Sequence, residues 1–399
     1  MGLIGPMGLI GPMRPMGHIR LIGLIGLMGL MGSCSQGDDT EPQMEQNSFE
    51  VVSYMPNYEE NILRTRAWSV PTGYEAYDGG DQSVGVCFTQ NEHNPVTDKT
   101  IGSLFKSSGK WRANVELAAE DYYLYGYIPH LPVIKCGITD RDGNNAKYDE
   151  GAILTLRDVP SVMPNDLCVV IGAKNGTDKE TVASPGLRRG DFAYHAEAIS
   201  SGSGGTGNFV FLLFDHLYAA LRVNLRVHGE YNAMRTIKLK SLKLKTQVGE
   251  TVSKDKMDIT IKLKANNGSA SPIENITYAA STGGVENNDG IEFWPSTSVT
   301  DEERTLSTTS KSFVGHFMPS GISTIILTST YDVYDKKGNL IREDCIATNT
   351  MELRELLTDQ TVTRRGRRYT INMTIKPTYL YVMSDEDLAN PGMDIVITE

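Results

Sequence analysis

The sequence predicts an all-β protein built of antiparallel β-sandwich domains in tandem. Three observations carry that expectation. Apolar residues recur at every second position, the stretches are short and β-rich, and only one segment has helical character. Leu221, Val223, Leu225 and Val227 alternate with Arg222, Asn224, Arg226 and His228. Ile259, Ile261 and Leu263 alternate with Thr260, Lys262 and Lys264, and Tyr369, Ile371, Met373 and Ile375 with Thr370, Asn372, Thr374 and Lys376. Period two with one apolar face marks antiparallel strands that are dry on one side and wet on the other. Many such strands with few helices mean sandwiches.

The remaining elements follow in order. Strand composition recurs at Val84–Thr89, Tyr122–Ile128, Leu167–Ala173, Phe209–Phe214, Ile237–Leu244 and Ile325–Tyr334. Asp335-Lys336-Lys337-Gly338-Asn339 reads as a hairpin turn, with Gly338 free to take positive φ. Met351–Leu357 is the one short helix expected. The tract Ser200–Gly207 has linker composition and splits the folded part nearly in half. The expected domains are therefore residues 47–205 and 206–399.

The N-terminus is a different kind of polymer. Of 39 glycines and 16 methionines, 9 and 6 fall within the first 34 residues. From Gly2 the chain reads in triplets, most beginning with Gly. Collagen fails, because Arg14 and Arg20 break the register and the other positions are Leu, Ile and Met. Those arginines followed by the uncharged run Leu21–Gly32, then small residues and Cys34, have the layout of a secretory signal over residues 1–33. The run is too short for a membrane span. Met31-Gly32-Ser33-Cys34 resembles a bacterial lipobox, which makes Cys34 the expected lipidation site and outer-membrane lipid a partner. Acyl chains there would anchor the protein. Residues 34–46 form an acidic linker, and the folded part begins near residue 47.

Composition narrows the function classes. The chain has 399 residues, enough for two or three domains, and a net charge of -11, the wrong balance for a nucleic-acid partner. Five cysteines are too few for a disulfide scaffold. Gly202-x-Gly204-x-x-Gly207 matches a dinucleotide fingerprint, but a strand rather than a helix follows it, so no cofactor is expected. Cys87, Cys136, Cys168 and Cys345 form no C-x-x-C pair and no H-E-x-x-H is present, so no metal site is expected. Cys87 and Cys168 read as small buried hydrophobes within strands. Asp140-Arg141-Asp142-Gly143 begins like a calcium loop, yet its glycine comes early and its closing glutamate is missing, which leaves a polar turn. His216 has no nucleophile motif beside it and reads as structural. Lys238, Lys240, Lys243 and Lys245 read as a solvent face that guards a strand edge. No catalytic constellation emerges, so the protein is not expected to be an enzyme.

Four passages carry a family resemblance. They are Thr65–Pro71 with Ser83–Gln90, Tyr122–Pro129, Phe211–Val227, and Tyr369–Lys376 running through Pro377–Val382 to Ser384–Leu388 and Asn390-Pro391. Together they resemble the fimbrillin family, lipoprotein precursors of pilus subunits in Bacteroides-type bacteria. That resemblance implies two transthyretin-like β-sandwich domains and a subunit of surface fimbriae that supports adhesion. Its partners would be other fimbrial subunits and a host or bacterial surface ligand. It also implies a cut by a trypsin-like protease, here at Arg66-Ala67 or alternatively after Arg64, that releases a first strand at Phe49–Tyr54. The vacated groove would take a neighbour's strand, because an open sheet edge offers unpaired backbone groups. Met393, Ile395 and Ile397 share one face of the last segment, so this segment is either the donated strand or an edge strand of its own sandwich. A non-polymerising surface lipoprotein is the alternative. Trp68, Trp111 and the tyrosines of Tyr122–Tyr127 would then form an aromatic platform for glycans or host ligands.

Overall fold

The structure, a computed structural model, describes residues 49–58, 74–77, 82–91, 101–144, 146–176, 186–203, 208–266, 271–295, 299–356, 361–376 and 392–398. These residues are nearly all β. In chain order the strands are β1 (Glu50–Pro56), β2 (Tyr74–Tyr77), β3 (Val84–Thr89), β4 (Ile101–Ser107), β5 (Lys110–Ala113), β6 (Asp121–Ile128), β7 (Lys135–Asp140) and β8 (Gly151–Pro160). There follow β9 (Val162–Met163), β10 (Cys168–Gly176), β11 (Ala193–His195), β12 (Phe209–His216), β13 (Ala219–Val227), β14 (Arg235–Val248), β15 (Thr251–Val252) and β16 (Lys256–Lys264). The last are β17 (Ile273–Ala280), β18 (Ile291–Pro295), β19 (Thr305–Leu306), β20 (Lys311–Phe317), β21 (Thr324–Asp335), β22 (Leu340–Glu352), β23 (Arg368–Lys376) and β24 (Gly392–Thr398).

Four sheets result. The largest has the order β2-β1-β12-β10-β6-β3-β4-β5, with β11 added on β6. It curls, so that β5 comes back into contact with β1. The curl encloses a core that includes Val86, Phe88, Leu124, Val170, Leu212 and Phe214. Its other face packs on the sheet β17-β16-β8-β7 through Tyr125, Phe211, Leu213, Leu154, Ile259 and Ile261. The remaining two sheets, β24-β23-β13-β20-β9 and β15-β14-β21-β22 with β18 and β19 on β14, close on a third core.

Alternation decides which residues enter these cores. Leu221, Val223, Leu225 and Val227 are buried, as are Ile259, Ile261 and Leu263, and Tyr369, Ile371, Met373 and Ile375. At β3 the bounds read from the sequence and those of the structure coincide. Gly338, at φ 87°, makes the β21–β22 turn.

Several expectations change. Not every pairing is antiparallel: β1 runs parallel to β12, and β13 parallel to β23. Periodicity reports which face of a strand is dry, not the direction of a partner far away in sequence. Of the expected helix Met351–Leu357, Leu353–Leu356 is helical, because Met351 stays in the ladder opposite Ile325 and is buried, and two further short helices form at Gly229–Met234 and Asp301–Arg304. The lysines of β14 do not guard an edge. That strand is flanked on both sides, and Lys238 and Lys240 instead make ion pairs of 2.6 Å with Asp301 and Asp344.

Sheet pairing does not follow a division at residues 205 and 206. β12 joins β1 and β10, whereas β16 joins β8 and carries β17 on its other edge, completing a layer begun by residues 135–160.

Candidate functional site

Two strands bear on assembly. β1 lies inside its sheet, between β2 and β12. Its odd positions Phe49, Val51 and Met55 enter the core of the curl, while Tyr54 enters the core on the opposite face. Ser53 Oγ donates to the Tyr77 carbonyl at 2.8 Å. β24 lies at the outer end of its sheet, antiparallel to β23, with Met393, Ile395 and Ile397 opposite Ile375, Met373 and Ile371. Both strands are seven residues long. Cys34, Arg64, Arg66, Ala67 and Trp68 lie outside the described residues, as does most of the segment that joins β1 to β2.

A buried polar cluster closes the end of β1. His216, the last residue of β12, is 3 % exposed, and its Nε2 donates to the Pro56 carbonyl at 2.8 Å. A carbonyl only accepts, so Nε2 carries a proton. Nδ1 meets Asp166 Oδ2 in a short contact, and one further proton is held between them. The pair is best described as imidazolium and carboxylate. Burial pulls the His216 value down, but the bond and charge of Asp166, the charge of Asp215 and the Pro56 carbonyl outweigh it and raise it. Burial likewise pushes Asp166 up, and the bond and charge of His216, with His316 and Tyr58, bring it below its ordinary value.

The Tyr58 ring covers this pair. It stacks on the His216 ring at 4.1 Å between centroids, and the Arg368 guanidinium lies 5.0 Å from its own centroid. Its hydroxyl is buried beside Asp166, although neither that oxygen nor Asp166 Oδ1 has a well-formed hydrogen bond. His316 donates from Nδ1 to the Pro164 carbonyl at 2.9 Å, and burial holds it below the usual histidine range. Arg365 donates to the His216 carbonyl at 3.0 Å and pairs with Asp215 at 3.1 Å. The chain after β1 is thus held by residues from β12, β20 and β23 together.

Asp166, Cys168 and His216 each offer a ligand atom within 4.8 Å of the others, and their residue types are those of a cysteine–histidine–aspartate triad. The geometry is not that of a triad. A triad places the acid and the nucleophile on different ring nitrogens, but here Cys168 Sγ, at 3.6 Å, and Asp166 both lie at Nδ1. Burial and the Asp166 charge also push the Cys168 thiol well up, away from the reactive thiolate. A cation would have to displace the proton that the pair shares. The arrangement therefore serves as a clamp.

Other candidates resolve simply. The Asp140 carboxylate accepts backbone N–H bonds from Asn144, Ala146 and Lys147, and so closes a polar turn upon itself. Of the described residues of the expected aromatic platform, Tyr122, Tyr125 and Tyr127 are buried, while Tyr123 and Trp111 are half-buried and pack against the cores. The clamp escaped sequence reasoning because its members come from five distant segments. The visible trace was Asp166-x-Cys168 together with Asp215-His216. Among the described residues, no helix is long and apolar enough to cross a membrane.

No family model matches the chain, and no curated protein matches it. Solved structures do overlap with it. A candidate cell adhesion protein from Bacteroides fragilis NCTC 9343 is 11 % identical, with a TM-score of 0.35 over 88 % of this chain and 97 % of that one. One from Bacteroides uniformis ATCC 8492 is 11 % identical, with a TM-score of 0.33 over 87 % and 97 %. The fimbrial anchor protein Mfa2 from Porphyromonas gingivalis is 11 % identical, with a TM-score of 0.24 over 87 % and 95 %. TM-scores this far below 0.5 leave the likeness without weight for either fold or function.

Proposed function

We propose that this chain is a non-enzymatic structural subunit of surface fimbriae. It is exported as an outer-membrane lipoprotein through Cys34, built of transthyretin-like sandwiches, joined to other fimbrial subunits by strand exchange, and supports adhesion. The observation that carries this reading is the position of β1. A strand that is to be removed after a cut must leave behind a groove worth filling, and β1 lies between two neighbours with apolar side chains in cores on both its faces. Refilling the places of Phe49, Val51 and Met55 would regain roughly 1.5–3 kcal/mol per side chain, besides the ladder. Arg64 and Arg66 fall between β1 and β2, where a cut separates the strand from the rest of the chain. β24 has the same length as β1 and, among the described residues, pairs with β23 alone, so it can leave its sheet without opening the middle.

Trypsin treatment of the lipidated precursor tests this. The expected product begins at Ala67 and polymerises, and removal of Met393–Glu399 is expected to leave it monomeric by light scattering. A cut product that stays monomeric with its C-terminus intact overturns strand exchange. So do fibres that form without residues 393–399.

A further inference from the structure

We infer that Cys87 and Cys136 are a disulfide site that staples the two sheets of the N-terminal sandwich together. Cys87 lies on β3 in the curled sheet and Cys136 on β7 in the sheet packed against it, with Sγ atoms 3.4 Å apart. A disulfide needs about 2.05 Å, so the bond requires an approach of the order of 1 Å between side chains that already touch. Cys87 is fully buried in the core between these sheets, and Cys136 packs against the same core from a partly exposed position. The other described cysteines are placed differently. Cys168 is taken up by His216 and Met55, at 3.6 and 4.0 Å, and Cys345 is buried on β22 between the other two sheets.

The chemistry balances with a low-molecular-weight disulfide as oxidant, such as oxidised glutathione. The Cys136 thiolate is the more accessible. It attacks one sulfur of the reagent and expels a thiolate, leaving a mixed disulfide on Cys136. Cys87 then attacks Cys136 Sγ and expels the second thiolate. Two protein thiols lose two protons and two electrons, and the reagent takes them up as two thiols. Contact with Cys136 and burial push the Cys87 thiol well above its ordinary range once the sheets have closed. The bond therefore forms while the sandwich is closing. Exported proteins meet the oxidising surroundings in which such bonds persist. The closed loop spans 49 positions, long enough for a sizeable restriction of the unfolded chain. Only the oxidising surroundings rest on the proposed export; the bond itself is measured on the purified chain alone.

The test is to refold the full chain in a mixture of reduced and oxidised glutathione, alkylate it under denaturing conditions and map its peptides without reduction. One linked pair joining Cys87 to Cys136 is expected, with Cys34, Cys168 and Cys345 alkylated. Reduction should lower Tm by on the order of 5–15 °C. Cys136→Ala should abolish that reduction-dependent difference. Alkylation of both Cys87 and Cys136, or linkage of either one to Cys168 or Cys345, overturns the assignment. The peptide map of the unsubstituted chain decides the matter even if the variant fails to fold.

Discussion

Replacing His216 with alanine tests the clamp directly. The substitution leaves the Asp166 carboxylate in a site that burial penalises, with its partner gone. Breaking a buried pair on one side costs about 3–5 kcal/mol, because the surviving charge is uncompensated. Two smaller losses overlap with this: the bond to the Pro56 carbonyl, about 1 kcal/mol, and the stack on Tyr58, about 0.5–1.5 kcal/mol. His316 cannot substitute, since its Nδ1 is committed to the Pro164 carbonyl. We expect a loss of about 4 kcal/mol in urea unfolding, read from a lowered midpoint at an unchanged slope. Asp166→Ala on the same background removes the orphaned charge and should return about 2 kcal/mol. Hydrogen exchange should show the amides of β1 losing protection first. The reasoning is refuted if His216→Ala costs less than about 1 kcal/mol, or if the double variant loses the full sum of the single losses.

The same pair sets a pH window. His216 is raised above its ordinary 6.5, so its contribution is complete below 6.5 and is lost as pH rises through the higher folded value. Asp166 is lowered from 3.8, so its contribution is present above 3.8 and is lost as pH falls through the lower folded value. Unfolding midpoints should be flat between these limits and decline on either side, and the alkaline decline should vanish in His216→Ala. In β6, Gly126 has no room for a side chain, since a Cβ there would lie 2.3 Å from the Gly85 carbonyl oxygen. Gly126→Ala should cost about 1–3 kcal/mol by thermal melting, whereas Gly137→Ala, with open space around it, should stay within about 0.5 kcal/mol.

What was legible in the sequence was local. Alternation along β13, β16 and β23 identified the buried faces, because a strand half in water must carry its polarity in that period. The runs at Val84–Thr89 and Phe209–Phe214 were recognisable by composition alone. Partnership was not legible. Nothing in the Ile259–Leu263 pattern says that β16 pairs with β8, about a hundred residues earlier, rather than with a nearer strand. The same holds for the side chains that meet at the clamp. Tyr58, Asp166, His216 and Arg368 are each unremarkable locally, and only the sheet order brings them together. Cys87 read correctly as a buried residue of a strand, but its neighbour Cys136 belongs to the opposing sheet.

The shared sheet β17-β16-β8-β7 also governs the order in which the chain can mature. As the chain emerges, β8 is made roughly a hundred residues before its partner β16, and the curled sheet, completed by β12, about 40 residues before it. Until then Leu154, Leu156 and Phe211 have no Ile259 or Ile261 to pack against. The early portion therefore waits, sticky and unfinished, for a segment that lies beyond β13 and β14 of the other two sheets. Such long-range closure slows folding and lengthens the time spent exposed to aggregation. A chain halted before residue 256 would keep that apolar face uncovered, and export as proposed above would favour keeping the whole polypeptide unfolded until it has crossed.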